Sequence, residues 1–146
     1  MILTFGLTLS ASGQKEAPEA VKKAFTQKYA AAKSVKWDKE SANEWEAEFK
    51  LNGKEMTAAY DNSGKWLETE TEISEKELPA AVIATLNKEF SGYKKGEIAI
   101  VENPDMKGFE IGLKNGTSAM EIVIDDNGKV LKNTPVKKSD EKSEKK

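Results

Sequence analysis

An internal repeat constrains the fold of this chain more than any other feature. Three segments of the first half recur in the second half in the same order and at nearly the same spacing. Such a pattern predicts one supersecondary unit used twice. The aligned pairs are APEAVKKAFTQKY (17–29) with LPAAVIATLNKEF (78–90), WEAEFKLNG (45–53) with FEIGLKNG (109–116), and YDNSGKWL (60–67) with IDDNGKVL (124–131).

Each unit opens with a helical pattern. In the first unit Val21, Phe25 and Tyr29 recur at four-residue steps, which places them on one face of a helix. Pro18 and Pro79 stand at the start of the two patterns, where a proline is tolerated in the first turn. We therefore predict helices near 18–30 and 78–91.

A half-buried hairpin follows the first helix. Apolar and polar residues alternate from Glu44 to Leu51, which predicts a strand with one buried and one solvated face. Asn52-Gly53 then predicts a two-residue type I′ turn that pairs Leu51 with Lys54. Asn115-Gly116 predicts the same turn in the second unit, with Leu113 opposite Ser118, Ile111 opposite Met120 and Phe109 opposite Ile122.

The stretch Asp61-Asn62-Ser63-Gly64 could be a calcium loop or a β-turn. An EF-hand loop needs ligands spread over about twelve residues, a bidentate Glu at its end and flanking helices. Here another strand-like run follows within a few residues, and Gly64 suits the positive φ of a bulged turn. The turn interpretation is favoured, and it applies equally to the loop that begins at Asp125.

These patterns predict an α+β fold built from two tandem units, each a helix followed by an antiparallel meander of three or four strands. The first repeat is expected at 16–74 and the second at 75–132. The helices should pack on one face of the sheet, leaving the other face to water or to a partner.

The two ends of the chain differ from the repeats. Residues 1–13 are apolar and then small, as in a secretory signal peptide without its usual basic start; a buried N-terminal strand is the alternative. Residues 133–146 are rich in charge and are expected to form a disordered tail. No membrane span is expected in the mature chain.

The run WEAEFKLNGKEMTAAYDNSGKWLETETEI (45–73), preceded by WDKE (37–40) and followed by LPAAV (78–82), resembles beta-lactamase-inhibitor-like, PepSY-like domains of exported bacterial proteins. The resemblance covers roughly residues 16–132 and is looser in the second half. It implies tandem helix-plus-meander units, a periplasmic or secreted location and no catalytic activity. Inhibition of an enzyme would be an analogy with the inhibitors that share the fold.

Composition excludes several function classes. The chain has no His and no Cys, so imidazole-based catalysis, thiol nucleophiles and soft metal sites are excluded. All 23 basic residues are Lys and the net charge is −2, which argues against nucleic-acid binding. We therefore expect no enzyme and no cofactor, and a monomer is expected.

Two groups of residues are candidates for a partner-binding site. Glu46 and Glu48 lie on the wet face of the first hairpin, where a solvated face is the alternative interpretation. In WLETETE, strict alternation places Trp66 outward beside Glu68 and Glu70, as in a binding hot spot. A bulge in the preceding turn would instead turn Trp66 toward Tyr60 in the core.

The leading hypothesis is a non-catalytic exported binding module that engages a protein or peptide through the open sheet face, where the carboxylates favour a basic partner. The alternatives are a carboxylate-rich site for Ca²⁺ or a similar cation, and a structural protein of the cell envelope.

Overall fold

The computed structural model describes residues 16–136, which form one eight-stranded antiparallel sheet with two α-helices. The strands follow one another in chain order across the sheet. The elements are α1 (Glu19–Lys28), β1 (Lys33–Ser41), β2 (Glu44–Leu51), β3 (Lys54–Asp61), β4 (Trp66–Glu72), a 3-10 turn (Glu75–Glu77), α2 (Ala80–Glu89), β5 (Lys94–Asn103), β6 (Met106–Asn115), β7 (Ser118–Ile124) and β8 (Val130–Pro135).

The predicted α+β fold and its internal repeat are confirmed. Each half contains one ten-residue helix followed by a four-stranded meander. Residues aligned by the repeat occupy matching places: Trp45 pairs with Tyr60 in the first half, and Phe109 pairs with Ile124 in the second. The two meanders join through β4 and β5, so the halves share one continuous sheet.

Both helices pack on the same face of that sheet, as the sequence predicts. Val21 and Phe25 of α1 belong to a buried cluster with Trp45, while Val82 of α2 belongs to a second cluster with Phe109. Directly opposed residues share a face of a sheet. The row Met56, Thr71, Ile100, Phe109 and Ile124 therefore connects the two clusters along one side.

The two cores differ in chemistry. The first is aromatic: the Phe25 ring contacts Phe49 edge-on at 4.9 Å between centroids and Trp37 at 5.2 Å. The second is aliphatic, with Ile111 and Ile122 fully buried against each other. Equivalent positions of the two halves thus accept different apolar shapes.

The first hairpin has the predicted turn. Asn52 and Gly53 have φ values of 52° and 76°, and Leu51 pairs with Lys54. Positive φ at both central residues is the type I′ geometry, whose twist matches that of the flanking strands.

The predicted register of the second hairpin is wrong by two residues. The turn lies at Gly116-Thr117, so Asn115 pairs with Ser118, and only Gly116 has a positive φ, at 58°. Glycine at the first central position is typical of a type II′ turn. The observed register sets Phe109 opposite Ile124, whereas the predicted one would set Phe109 opposite Ile122. The observed register pairs Phe109 with Ile124 and Ile111 with Ile122 in place of the turn that Asn-Gly favours locally.

The loop at Asp61 is a turn, as the sequence favours. Asp61 Oδ1 accepts hydrogen bonds from the backbone N–H groups of Ser63 at 2.8 Å and Lys65 at 3.0 Å. Asn62 Oδ1 accepts one from the Trp45 indole at 3.0 Å. These oxygens, which a calcium loop would use as ligands, satisfy the turn and the core. Asp125 makes the equivalent bonds to the N–H groups of Asn127 and Lys129.

Each of these turns presses a glycine against the first turn of its helix. A Cβ on Gly64 would lie 2.5 Å from the carbonyl oxygen of Ala20, and one on Gly128 would lie 2.7 Å from that of Ala81. Both glycines have positive φ, 87° and 84°. The repeat therefore keeps glycine here for two reasons, backbone conformation and close approach.

The end of the second repeat lies slightly beyond its predicted boundary. The tail was expected to begin at residue 133, but β8 extends to Pro135 because Thr134 pairs with Glu121 and Pro135 with Met120. The rest of the predicted tail, residues 137–146, and the predicted signal peptide, residues 1–13, lie outside the described residues. None of the helices within residues 16–136 is long and apolar enough to cross a membrane.

Alanine substitution of Gly53 and of Gly64 should distinguish the loss of stability caused by backbone strain from that caused by a steric clash. Gly53→Ala meets no atom within 4 Å and introduces only the strain of positive φ, about 1 kcal/mol. Gly64→Ala adds the clash with Ala20 and should cost at least about 3 kcal/mol. Urea denaturation measures both. Equal losses would contradict the docking of this turn on α1.

Substitution by phenylalanine should affect the free energy of unfolding differently at Tyr60 and at Tyr29. Among residues 16–136, the Tyr60 hydroxyl is the buried side-chain group that lacks a hydrogen-bond partner, whereas the Tyr29 hydroxyl bonds to Thr69 Oγ1. Tyr60→Phe should therefore be neutral or stabilising by up to about 1 kcal/mol, and Tyr29→Phe should destabilise by about 1 kcal/mol. The midpoints of urea denaturation, compared at constant m-value, measure both changes. A marked loss of stability in Tyr60→Phe would mean that the Tyr60 hydroxyl has a hydrogen-bond partner after all.

Candidate functional site

The side of the sheet away from the helices carries a set of glutamates, which we call the acidic face. Their positions follow from the strand registers, because each alternates with residues of the helix-side core. Its members are Glu46 and Glu48 on β2, Glu68, Glu70 and Glu72 on β4, Glu110 on β6 and Glu121 on β7.

Four of the residues predicted to bind a partner lie on the acidic face. Glu46 and Glu48 lie on it, as the alternation of β2 predicts, and the register continues from them to Glu68 and Glu70. These four predicted residues are thus brought together on neighbouring rows of one surface. The extension of this surface into the second half of the chain was not predicted from the sequence.

The missed members are Glu110 and Glu121. Glu110 lies between Phe109 and Ile111, and Glu121 lies between Met120 and Ile122. The same alternation that placed Glu46 would have placed both of them. What the sequence does not show is that they approach Glu70, which belongs to the other repeat and still raises the pKa of Glu110.

Trp66 is not part of the acidic face, and the prediction that it stands beside Glu68 and Glu70 is wrong. A bulge between the pairs Ala59–Glu68 and Tyr60–Trp66 inserts one extra residue into β4. That residue reverses the alternation, so Trp66 and Glu68 point to opposite faces. Trp66 packs on the helix-side cluster, as in the alternative interpretation.

The environment of Trp66 is fully accounted for by the fold. Its indole Nε1 donates a hydrogen bond to Thr69 Oγ1 at 2.8 Å. The Lys28 ammonium at the end of α1 lies 3.5 Å from the ring centroid, a cation–π contact. Trp66 thus joins helix α1 to the sheet.

Small residues separate the carboxylates of the acidic face. Across β2, β3 and β4 the register reads Glu46, Ala59, Glu68 in one row and Glu48, Thr57, Glu70 in the next. A third row reads Glu72, Ala99, Glu110 across β4, β5 and β6. The two glutamates of a row stand on strands that are separated by one other strand. The backbones of these two strands lie about 10 Å apart, which is twice the interstrand distance. Each row thus has a smaller side chain at its centre, with a glutamate on either side.

Burial and mutual repulsion disfavour the charged form of these carboxyl groups. Burial, followed by the charges of Glu40 and Glu70, raises the pKa of Glu46 to about 8. Burial, followed by the charges of Glu68 and Glu121, raises the pKa of Glu70 to about 7. Burial likewise raises the pKa values of Glu110 and Glu121, which share a side-chain hydrogen bond.

Little in the described chain neutralises this charge. The ion pairs found among residues 16–136 join Lys22 to Glu19, Lys50 to Glu55, Lys54 to Glu77 and Lys95 to Glu75. None of them includes a glutamate of the acidic face, although the Lys50–Glu55 pair lies on the same side of the sheet. Glu68 accepts a hydrogen bond from the Asn103 amide at 3.1 Å. Lys36 and Lys132 stand at the two margins, on β1 and β8. Within the same residues, no group of three or more acidic side chains is arranged to hold a metal ion.

Comparisons with known proteins agree with the resemblance in the sequence. The model of the family described as "Putative beta-lactamase-inhibitor-like, PepSY-like" matches residues 11–57 and 43–132. A search of the curated proteins found no match.

Solved structures share the fold. A BLIP-like protein from Bacteroides fragilis superposes with a TM-score of 0.76 at 22% identity, covering 88% of this chain and 93% of its own. A protein from Bacteroides eggerthii named as "putative periplasmic" superposes with a TM-score of 0.74 at 22% identity, covering 84% of this chain and 91% of its own. At this identity the likeness establishes the architecture alone.

The raised pKa values predict that the protein loses stability in alkaline solution. In the folded protein the pKa values of Glu46 and Glu70 are about 8 and about 7, above the ordinary value of 4.5, so the folded state binds protons more tightly than the unfolded state. Their contribution to stability is therefore complete below about pH 4.5 and is lost as the pH rises through about 7 and 8. The melting temperature should fall by about 5 °C or more between pH 6 and pH 9.

Two variants test the origin of that fall. Glu46→Gln removes a titrating group with little change of shape and should make the fall smaller. Glu89→Gln, on the exposed surface of α2, should leave it unchanged. A melting temperature that is constant or rises from pH 6 to pH 9 would contradict the account.

Proposed function

Because the chain belongs to the beta-lactamase-inhibitor-like, PepSY-like family, we propose that it is a non-catalytic exported binding module. In this proposal its acidic face engages a basic protein or peptide. A periplasmic location is proposed with it, supported by the name of the similar Bacteroides eggerthii protein. Inhibition of an enzyme is no part of the proposal.

The observation that carries the proposal is the concentration of carboxylates on the side of the sheet that the helices leave uncovered. A protein with a net charge of −2 places seven glutamates on this one surface. Structural demands alone would be met by polar uncharged residues, which do not repel one another. Lysine or arginine side chains of a partner would relieve the repulsion, and the charge would guide their approach.

The composition of the face also favours a polypeptide partner. Between the glutamates the surface is apolar, because it is formed there by the buried residues Ala59, Val101 and Val123. The carboxylates around them supply charge. Lysine and arginine match such a surface, because their side chains combine an apolar stem with a cationic end.

Titration with two charged peptides tests the proposal. Hexalysine should shift backbone amide signals of β2, β4 and β6 in NMR spectra at low salt, whereas hexaglutamate should not. The shifts should largely disappear at about 0.3 M NaCl, because salt screens exposed charges. Shifts confined to α1 and α2, or equal responses to both peptides, would contradict the proposal.

Charge-neutralising variants provide the matched control. The double variant Glu48→Gln/Glu70→Gln should weaken hexalysine binding about tenfold, if each lost carboxylate contributes somewhat under 1 kcal/mol. Glu89→Gln changes the net charge of the protein on the helix side and should have little effect. Equal weakening by both changes would mean that net charge, and not the acidic face, attracts the peptide.

A further inference from the structure

The internal repeat relates each edge strand of the sheet to a strand in its middle. The last strand of the second half, β8, corresponds to β4, and the first strand of the first half, β1, corresponds to β5. The registers agree, since Thr71 of β4 and Pro135 of β8 pair with Met56 and Met120 at matched positions of the repeat. In the middle of the sheet β4 pairs with β5, whereas β8 and β1 are the two edges. The β4–β5 pair therefore shows how β8 could pair with β1 of a second copy.

The β4–β5 pair also gives the register of such a contact. Thr71 lies opposite Ile100 across this pair of strands. Ile100 and Lys39 are equivalent, because each pairs with an aromatic residue of the next strand at matched positions of the repeat. Pro135 of one copy would thus lie opposite Lys39 of the other.

Pro135 lacks the hydrogen-bond donor that this contact would need. Alternate residues of an antiparallel strand direct their N–H groups to the same neighbouring strand. The Ile73 N–H donates to the Ile98 carbonyl at 3.0 Å, from β4 toward β5, so the N–H of Thr71 points the same way. Its equivalent, Pro135, has no N–H to donate.

The fold of the single chain does not need a donor at this position. The Val136 N–H donates to the Ala119 carbonyl at 2.9 Å, so residue 136 faces β7 and residue 135 faces away from the sheet. Proline is tolerated on an edge strand when its nitrogen faces outward in this way. The effect of Pro135 therefore falls on any strand that would add to the β8 edge.

We infer that the β8 and β1 edges are complementary surfaces for a second copy of this chain, and that Pro135 keeps the copies apart. The inference does not depend on the proposed function. A head-to-tail contact of this kind leaves a free edge on each added copy, so repeated addition would build an open filament. Proline on an edge strand is one of the means by which proteins prevent such growth.

Charge does not prevent the contact between copies. In the register of the β4–β5 pair, residues 133–136 would lie opposite residues 38–41. The segment 133–136 carries no charged side chain, so no like charges would be opposed. Lys132 would lie diagonally from Glu40 on the same side of the sheet, where opposite charges attract. Electrostatic repulsion is therefore not the barrier in this register.

Both edges also expose apolar side chains. Among residues 16–136, the exposed large hydrophobic residues are Val35, at 38%, and Leu131, at 39%. Val35 lies on β1 and Leu131 on β8, one on each edge strand. Exposed apolar edges favour pairing with another chain, so a block at one edge has a physical reason.

Replacement of Pro135 by the residue at its equivalent place in the first half tests the inference. Pro135→Thr restores the missing N–H and should self-associate at least about tenfold more tightly than the wild-type chain, as expected when one unsatisfied backbone acceptor gains its donor. Pro135→Ala restores the N–H without the threonine side chain and should have the same effect. Sedimentation velocity up to about 1 mM protein measures the association, because even a contact with a dissociation constant near that value is detected there.

Two further variants serve as controls. Pro104→Thr removes a proline from the exposed β5–β6 turn, away from both edges, and should behave as the wild-type chain does. Pro135→Thr/Lys39→Pro removes the opposing N–H on β1 and should cancel the effect of Pro135→Thr. Circular dichroism and a cooperative urea transition establish that each variant is folded.

Amide hydrogen exchange locates the contact. As the concentration of Pro135→Thr rises, the amides of Asn133 and Lys39 should gain protection, since both face outward in the single chain. Protection confined to other strands would overturn the inference, as would self-association of the wild-type chain through β8 and β1. A folded Pro135→Thr or Pro135→Ala that associates no more tightly than the wild-type chain would overturn it as well.

Discussion

The burial of one sheet face by two short helices is the interaction on which the rest of the structure depends. A ten-residue helix is marginal in water by itself, and a meander with an exposed apolar face would aggregate. Each stabilises the other when Phe25 packs on Phe49, or Leu86 on its own meander. The glycine turns at Gly64 and Gly128 then bring the end of each hairpin against its helix.

This arrangement determines what the second face can be. Both helices lie on one side of the sheet, so the opposite side does not have to pack against a helix and can carry charge. The glutamates there repel one another, and burial raises the pKa values of Glu46 and Glu70. A surface that costs stability in this way is typical of functional sites, where local rules are broken for a reason outside the fold. Glu46 is the clearest instance, because burial raises its pKa to about 8.

The repeat was used differently on the two sides of the sheet. On the helix side, equivalent positions keep an apolar character, as Trp45 and Phe109 do, because both halves must bury a helix. On the acidic face the halves meet across β4 and β5, and their carboxylates form one surface. The repeat thus has two apolar clusters on the helix side but a single continuous surface on the other.

Most of the architecture could be predicted from the sequence. The helices, the first hairpin and its type I′ turn, the turns at Asp61 and Asp125, and the shared side of the two helices all follow from short-range patterns. Those patterns reflect local sterics and the periodicity of helix and strand. Glu46 and Glu48 were placed correctly for the same reason, because one alternating strand decides which side chains share a face.

What only the tertiary structure decided depends on pairing between distant segments. The bulge in β4 moved Trp66 from the predicted binding surface to the core, because the contacts with Thr69 and Lys28 are formed only in the folded chain. The second hairpin has its turn at Gly116-Thr117, which pairs Phe109 with Ile124. The gathering of Glu70 with Glu110 and Glu121 likewise required the two repeats to join. Sequence periodicity assigns a face to each strand, but a register or a bulge is chosen by the total burial that the assembled sheet achieves.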